Sequence, residues 1–143
     1  MKEKANKEVI TVVVANSNEM VRQGVRSLLE MEPDIRVVGE AEDGLKTVQI
    51  VQELHPKVLI IELMISGLSD IKLIKQVKKT SKTTNIVVFS MYDNAEYVKA
   101  AFKAGARAYV LKESTGPEII QAVRRAATGR NYLSSSISDA NSN

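Results

Sequence analysis

Cysteine is absent from the 143 residues, so there is no disulfide framework and no thiolate to act as metal ligand or nucleophile. That suits a reducing compartment. No stretch approaches the roughly 18 consecutive apolar residues that a membrane-spanning helix needs, so no membrane partner is expected. The opening "MKEKANKE" is cationic and precedes the apolar "VITVVVA", but its acidic residues and the polar "NSNE" that follows do not suit an export signal. A cytoplasmic protein is expected. Neither sign of charge dominates: 20 Lys plus Arg against 17 Asp plus Glu leave +3, too little to imply nucleic-acid binding by this chain. Aromatics are scarce at 4%, yet 44% hydrophobic residues make an ordinary globular profile, long enough for one core that buries roughly 70% of the unfolded surface.

What is present is alternation. Apolar, β-branched runs at Val9–Ala15, Ile35–Ala41, Lys57–Leu63, Asn85–Ser90 and Ala108–Lys112 read as strands. The first, third and fourth are almost continuously apolar, as when both faces of a parallel sheet are covered. Helical spacing fills the gaps: Glu19–Met31, Gly44–Leu54, Asp70–Lys79, a helix opened by an Asp93/Glu96 capping box and running through Phe102, and Glu118–Ala127 with Pro117 before it. Strands alternating with helices predict a doubly wound α/β domain, a five-stranded parallel sheet of order 2-1-3-4-5. Residues 1–8 are expected to be a flexible leader, 9–128 the domain, and 129–143 a linker and tail.

One stretch conflicts with this pattern of buried strands. In "VLIIELMISGLSD" the third strand ends in Glu62, and a buried carboxylate is costly without a partner. In open α/β sheets ligands bind beyond the carboxyl ends of the strands, at the switch point between the first and third strands. Those ends carry Asn16, Ser17, Glu62, Ser90 and Lys112. Lys112 is the candidate partner for Glu62.

From about Val9 to Ser134 the sequence resembles the receiver domain of bacterial two-component response regulators, specifically the NarL/LuxR type. The segments "MVRQGVRSLLEMEPDIRVVGEAEDG", "FSMYDNAEYVKAAFKAGARAYVLKES" and "AVRRAATGRNYLS" carry the likeness. The resemblance implies a CheY-like fold and an aspartate after the third strand that accepts a phosphoryl group from a sensor histidine kinase. It also implies an acidic pair after the first strand that helps hold Mg²⁺, and a Ser/Thr and a Lys that contact the phosphoryl oxygens. Ser90 and Lys112 match the last two, and Tyr109 matches an aromatic whose rotamer reports activation. The remaining positions depart: Glu62 replaces the acceptor aspartate, Asn16 and Ser17 replace the acidic pair, and Ser66-Gly67 replaces the usual Pro-Gly turn.

The departures have chemical consequences. Mg²⁺ is usually anchored by one or two carboxylates, with water completing its shell. Here Glu62 and Lys112 cancel, which removes both the ligands and the electrostatic need for the ion. No cofactor is expected, with Mg²⁺ binding lost. Phosphoryl transfer depends on positioning and on metal neutralisation of charge, and Glu62 adds a methylene where ~1 Å of misplacement costs on the order of 10²-fold. Little phosphorylation and no enzymatic role are expected. Two readings of Glu62 stand: a reach to Lys112 and Ser90 that imitates a phosphorylated aspartate, or an ion pair that merely keeps the pocket neutral, the second slightly favoured.

Plainer roles compete elsewhere. Asn16 and Ser17 suit capping of the first helix, Tyr109 suits core packing, His55 suits a solvated helix end, and the lysines of the third helix suit a solvated face. Three functions follow. The first is the input domain of a transcription factor whose DNA binding belongs to a C-terminal helix-turn-helix domain absent from this chain. The second is an interaction module that binds a protein partner, or a second copy, through the fourth helix, fifth strand and fifth helix, with Tyr92, Tyr97, Lys99, Tyr109 and Arg124. The third, a conventional phosphoacceptor, ranks last.

Overall fold

The computed structural model describes residues 8–68, 70–113, 116–134 and 137. Six strands, β1 (Ile10–Ala15), β2 (Ile35–Ala41), β3 (Val58–Ile61), β4 (Asn85–Ser90), β5 (Ala106–Leu111) and β6 (Tyr132–Leu133), form one sheet of order β2-β1-β3-β4-β5-β6. Every pairing is parallel. Among the described residues five helices link them: α1 (Glu19–Glu30), α2 (Gly44–Leu54), α3 (Asp70–Thr80), α4 (Ala95–Ala104) and α5 (Gly116–Ala127).

Side chains alternate across the pleat, so each central strand feeds two cores. Val13, Ala15, Leu59 and Ile61 join Val51, Leu73, Val77 and Val98 of α2, α3 and α4 on one face. Val12, Val14, Val58 and Ile60 join Val25, Leu29, Ile119 and Val123 of α1 and α5 on the other. All four residues of β3 are buried, which explains the unbroken apolar run. Among the described residues no helix is long and apolar enough to cross a membrane.

The expected five strands become six. Strand β6 lies in the stretch read as linker, and two residues are too few to carry a periodic signal. Tertiary bonds hold it: Ser134 N–H donates to Tyr109 O at 2.9 Å, Leu111 N–H donates to Ser134 Oγ at 3.1 Å, and the Tyr132 hydroxyl donates to Glu118 Oε2 at 2.7 Å. Ser134 and Ile137 are fully buried, so the fold continues past residue 128. The rest of the expected tail, and most of the leader, lie outside the described residues.

Two caps shift by a residue or two. Asn18, not Asn16 or Ser17, caps α1, its side chain accepting Val21 N–H at 3.1 Å. Asn94 rather than Asp93 caps α4, accepting the N–H groups of Glu96 and Tyr97 at 2.9 and 3.1 Å. In each run of polar residues the cap is the last extended position before the helix. Gly105 ends α4 at φ 126°, a conformation that favours glycine.

Candidate functional site

The carboxyl ends of β1, β3, β4 and β5 converge on one crevice. Strand β3 stops at Ile61, and Glu62 follows with its N–H still bonded to Ala15 O at 3.1 Å. The side chain is directed into the crevice and only 6% of the residue is exposed. Its Oε1 forms an ion pair with Lys112 Nζ, and its Oε2 accepts Met64 N–H at 3.2 Å. Among the described residues the Lys112 ammonium is the partner of Oε1. Lys112 is the first residue after β5, and its N–H extends the ladder to Ser90 O at 2.8 Å.

Ser90 is fully buried at the end of β4. Its Oγ accepts Tyr92 N–H at 3.1 Å and turns the chain towards α4; no hydrogen bond between described residues joins it to Glu62. After β1, Asn16 is 4% exposed, with Oδ1 accepting Asn18 N–H at 2.9 Å and its carbonyl taking Arg22 Nη1 at 2.6 Å. Ser17 Oγ accepts Ser66 N–H at 3.0 Å. Gly44 N–H then donates to Ser66 O at 2.9 Å, binding the loops after β1, β2 and β3 together. Gly44 has to be glycine here, since a Cβ would lie 1.7 Å from Leu68 O.

The geometry therefore brings Glu62 and Lys112 together as expected and places Asn16, Ser17 and Ser90 at the neighbouring strand ends, an oxygen of each side chain accepting a backbone N–H. Tyr109 is fully buried, its hydroxyl donating to Tyr92 O at 2.7 Å, and burial pushes its phenol above the ordinary range. It cannot form part of an exposed docking face. Nor does Arg124 belong to that face. It turns towards the α1–β2 connection, pairing with Asp34 at 2.7 Å and Glu32 at 2.8 Å. Of the five residues proposed for docking, Tyr92, Tyr97 and Lys99 remain. His55 is exposed but also bonded, its Nδ1 lying 3.0 Å from Ser81 Oγ.

Asp70 gave no sign of its role. It adopts φ 68°, uncommon for a non-glycine residue, and its Oδ1 accepts the Tyr97 hydroxyl at 2.5 Å. Burial first, and this bond second, push the Tyr97 phenol strongly upward. An aspartate at a helix start ordinarily reads as a cap, and no pattern in one sequence marks a positive φ.

Residues 12–124 match the response regulator receiver domain family. The chain belongs to that family. It is similar to the nitrate/nitrite response regulator protein NarL of Escherichia coli K12, at 32% identity over 93% of this chain and 62% of that protein. The transcriptional regulatory protein LiaR of Bacillus subtilis 168 is 36% identical over 90% of this chain and 61% of its own length. The chain thus spans about three fifths of these curated relatives. Among solved structures, the signal receiver domain of the putative response regulator NarL from Mycobacterium tuberculosis superposes with a TM-score of 0.82 at 30% identity, over 86% of this chain and 99% of that one. The isolated REC domain of RcsB from Salmonella enterica serovar Typhimurium, with phosphomimetic BeF3−, gives 0.85 at 27% identity over 92% and 98%. The receiver of a NarL/LuxR-type response regulator in two-component signalling thus has the α/β fold its sequence predicts, with one strand more.

Proposed function

We propose that this receiver is the regulatory domain of a LuxR-type DNA-binding transcription regulator and works without Mg²⁺-dependent aspartyl phosphorylation. The observation that carries the reading is the Glu62–Lys112 pair. A receiver primed for phosphoryl transfer would hold a metal against several carboxylates, and the donors at these positions do not fit that ion. Glu62 uses Oε1 on Lys112 and Oε2 on Met64 N–H, Asn16 uses Oδ1 on Asn18 N–H, and Ser17 uses Oγ on Ser66 N–H. Among the described residues no three of His, Cys, Asp and Glu converge. A site that is already neutral supplies little attraction for a divalent cation.

The bonding of Ser90 supports the plainer role for Glu62. A carboxylate imitating a phosphoryl group would engage both the lysine and the serine, whereas Ser90 Oγ accepts Tyr92 N–H and, among the described residues, no hydrogen bond joins it to Glu62. The pair balances the charge at the crevice. DNA contacts would come from a further domain, in keeping with relatives of greater length and with the RcsB response regulator solved as a DNA complex. The role in a cytoplasmic pathway is regulatory, with a sensor kinase or another protein partner upstream. The direct test is intact-mass spectrometry after incubation with Mg²⁺ and acetyl phosphate. No added phosphoryl group is expected, and a stoichiometric adduct would refute the reading.

A further inference from the structure

Beside the crevice, between the start of α3 and the first turns of α4, lies a cavity of about 530 Å³ lined by Met64, Asp70, Tyr92, Glu96, Tyr97 and Ala100, with the capping residue Asn94 at its rim. We infer that this cavity binds the guanidinium of an arginine presented by a basic segment of a protein partner. Three features of its wall point to that chemistry. Tyr92 and Tyr97 meet edge to face, with centroids 6.1 Å apart and planes at 72°, so two aromatic rings set at a steep angle line the cavity. Met64, 54% exposed, adds a polarisable thioether. The two charged groups are both carboxylates, and among the described residues neither Asp70 nor Glu96 has a cationic partner.

Charge decides between possible occupants. Asp70 and Glu96 lie in the first turns of α3 and α4, where each helix end contributes about half a positive charge, so the wall keeps roughly one negative charge. That balance suits one monocation, and it stands out on a chain whose net charge is +3. The Tyr97 hydroxyl occupies Asp70 Oδ1 and holds that carboxylate at the wall, leaving Oδ2 to meet a donor. Arginine suits the wall better than lysine because its planar group stacks on tyrosine faces while forking to a carboxylate. The inference does not depend on whether Glu62 accepts phosphoryl groups.

The test is NMR on the full chain with ¹³C-methyl methionine and labelled tyrosine, titrated with acetyl-Gly-Arg-Gly-amide and with the same peptide carrying citrulline, the neutral isostere. The arginine peptide should shift the Met64 methyl and the Tyr92 and Tyr97 rings, with citrulline weaker by about fivefold or more, as expected when one exposed ion pair and a cation–π contact are lost. Glu96 is exposed and its side chain has no partner among the described residues, so Glu96→Lys should keep the fold while abolishing the response. Equal binding of citrulline, shifts confined to other methionines, an undiminished response in Glu96→Lys, or concentration-dependent shifts without peptide, which would place a second copy in the cavity, would each overturn the inference.

Discussion

Replacing Lys112 with methionine isolates the charge balance of the crevice. The aliphatic volume is kept and the ammonium is lost, leaving the Glu62 carboxylate, with a side chain only 7% exposed, to a single backbone N–H. Breaking a fully buried ion pair costs about 3–5 kcal/mol because the survivor is an uncompensated charge. Lys112 keeps 32% of its side chain exposed, so solvent screens part of the interaction and the expected loss is nearer 2 kcal/mol. For a domain of this length that is roughly 5–8 °C in Tm. The reverse variant, Glu62→Gln, should cost less, since the half-exposed ammonium can turn to water while the amide oxygen still accepts Met64 N–H. Glu62→Leu combined with Lys112→Met should recover most of the loss, because no charge is left buried. Urea unfolding of the parent, Lys112→Met, Glu62→Leu and the double variant supplies a double-mutant cycle. If Lys112→Met falls within about 0.5 kcal/mol of the parent, and the double variant gains nothing, the pair does not balance the pocket.

Other consequences follow from the geometry around the site. Glu40 is bonded by Arg26 at 2.6 Å and by Arg22 at 3.1 Å, and the Arg26 bond foremost holds its carboxyl below the ordinary range. A depressed carboxyl stabilises above its unfolded pKa and loses that contribution as pH falls through the folded one, so Glu40→Gln should cost about 1 kcal/mol near neutrality and progressively less as pH falls below the ordinary carboxylate range in urea titrations. Burial, then the Glu118 bond, pushes the Tyr132 phenol up to about 12. Its contribution should be complete below about pH 10 and lost as pH rises through about 12, and an ultraviolet titration should lose a component near pH 12 in Tyr132→Phe. In the chain His55–Ser81–Thr84–Pro56, Thr84 Oγ1 donates to Pro56 O at 2.8 Å, which commits Ser81 to donate to Thr84 at 2.7 Å and His55 Nδ1 to donate to Ser81 at 3.0 Å. Nitrogen-15 NMR should therefore find Nδ1 protonated in neutral His55, and an Nε2–H tautomer would refute that direction. Gly44→Ala should cost about 2 kcal/mol or more by driving Leu68 O away from a Cβ otherwise 1.7 Å distant, and unchanged stability would contradict the packing of those loops.

The parts of the fold that could be read in advance are those written in repeated chemistry. The buried runs of β1, β3 and β4 and the helical spacing of α1, α2 and α5 each involve many residues obeying one rule, so a one-residue error at an end leaves the element standing. Glu62 could be recognised because a charge in an apolar strand breaks such a rule, and Lys112 because the topology leaves it at a neighbouring strand end. What stayed hidden depends on single tertiary events. Strand β6 exists through Ser134 and Tyr132, whose partners on β5 and α5 are distant in sequence. Asp70 takes its unusual backbone beside Tyr97, 27 positions later in the chain. Arg124 resembles any exposed helical cation until the loop carrying Glu32 and Asp34 is seen against it.

Calorimetric titration of Mg²⁺ into the unmodified chain, beside the triple variant Asn16→Asp, Ser17→Asp, Glu62→Asp, tests the neutral-crevice account most directly. The account predicts no saturable heat for the unmodified chain and stoichiometric uptake by the variant that regains three carboxylates. Stoichiometric uptake by the unmodified chain would contradict it.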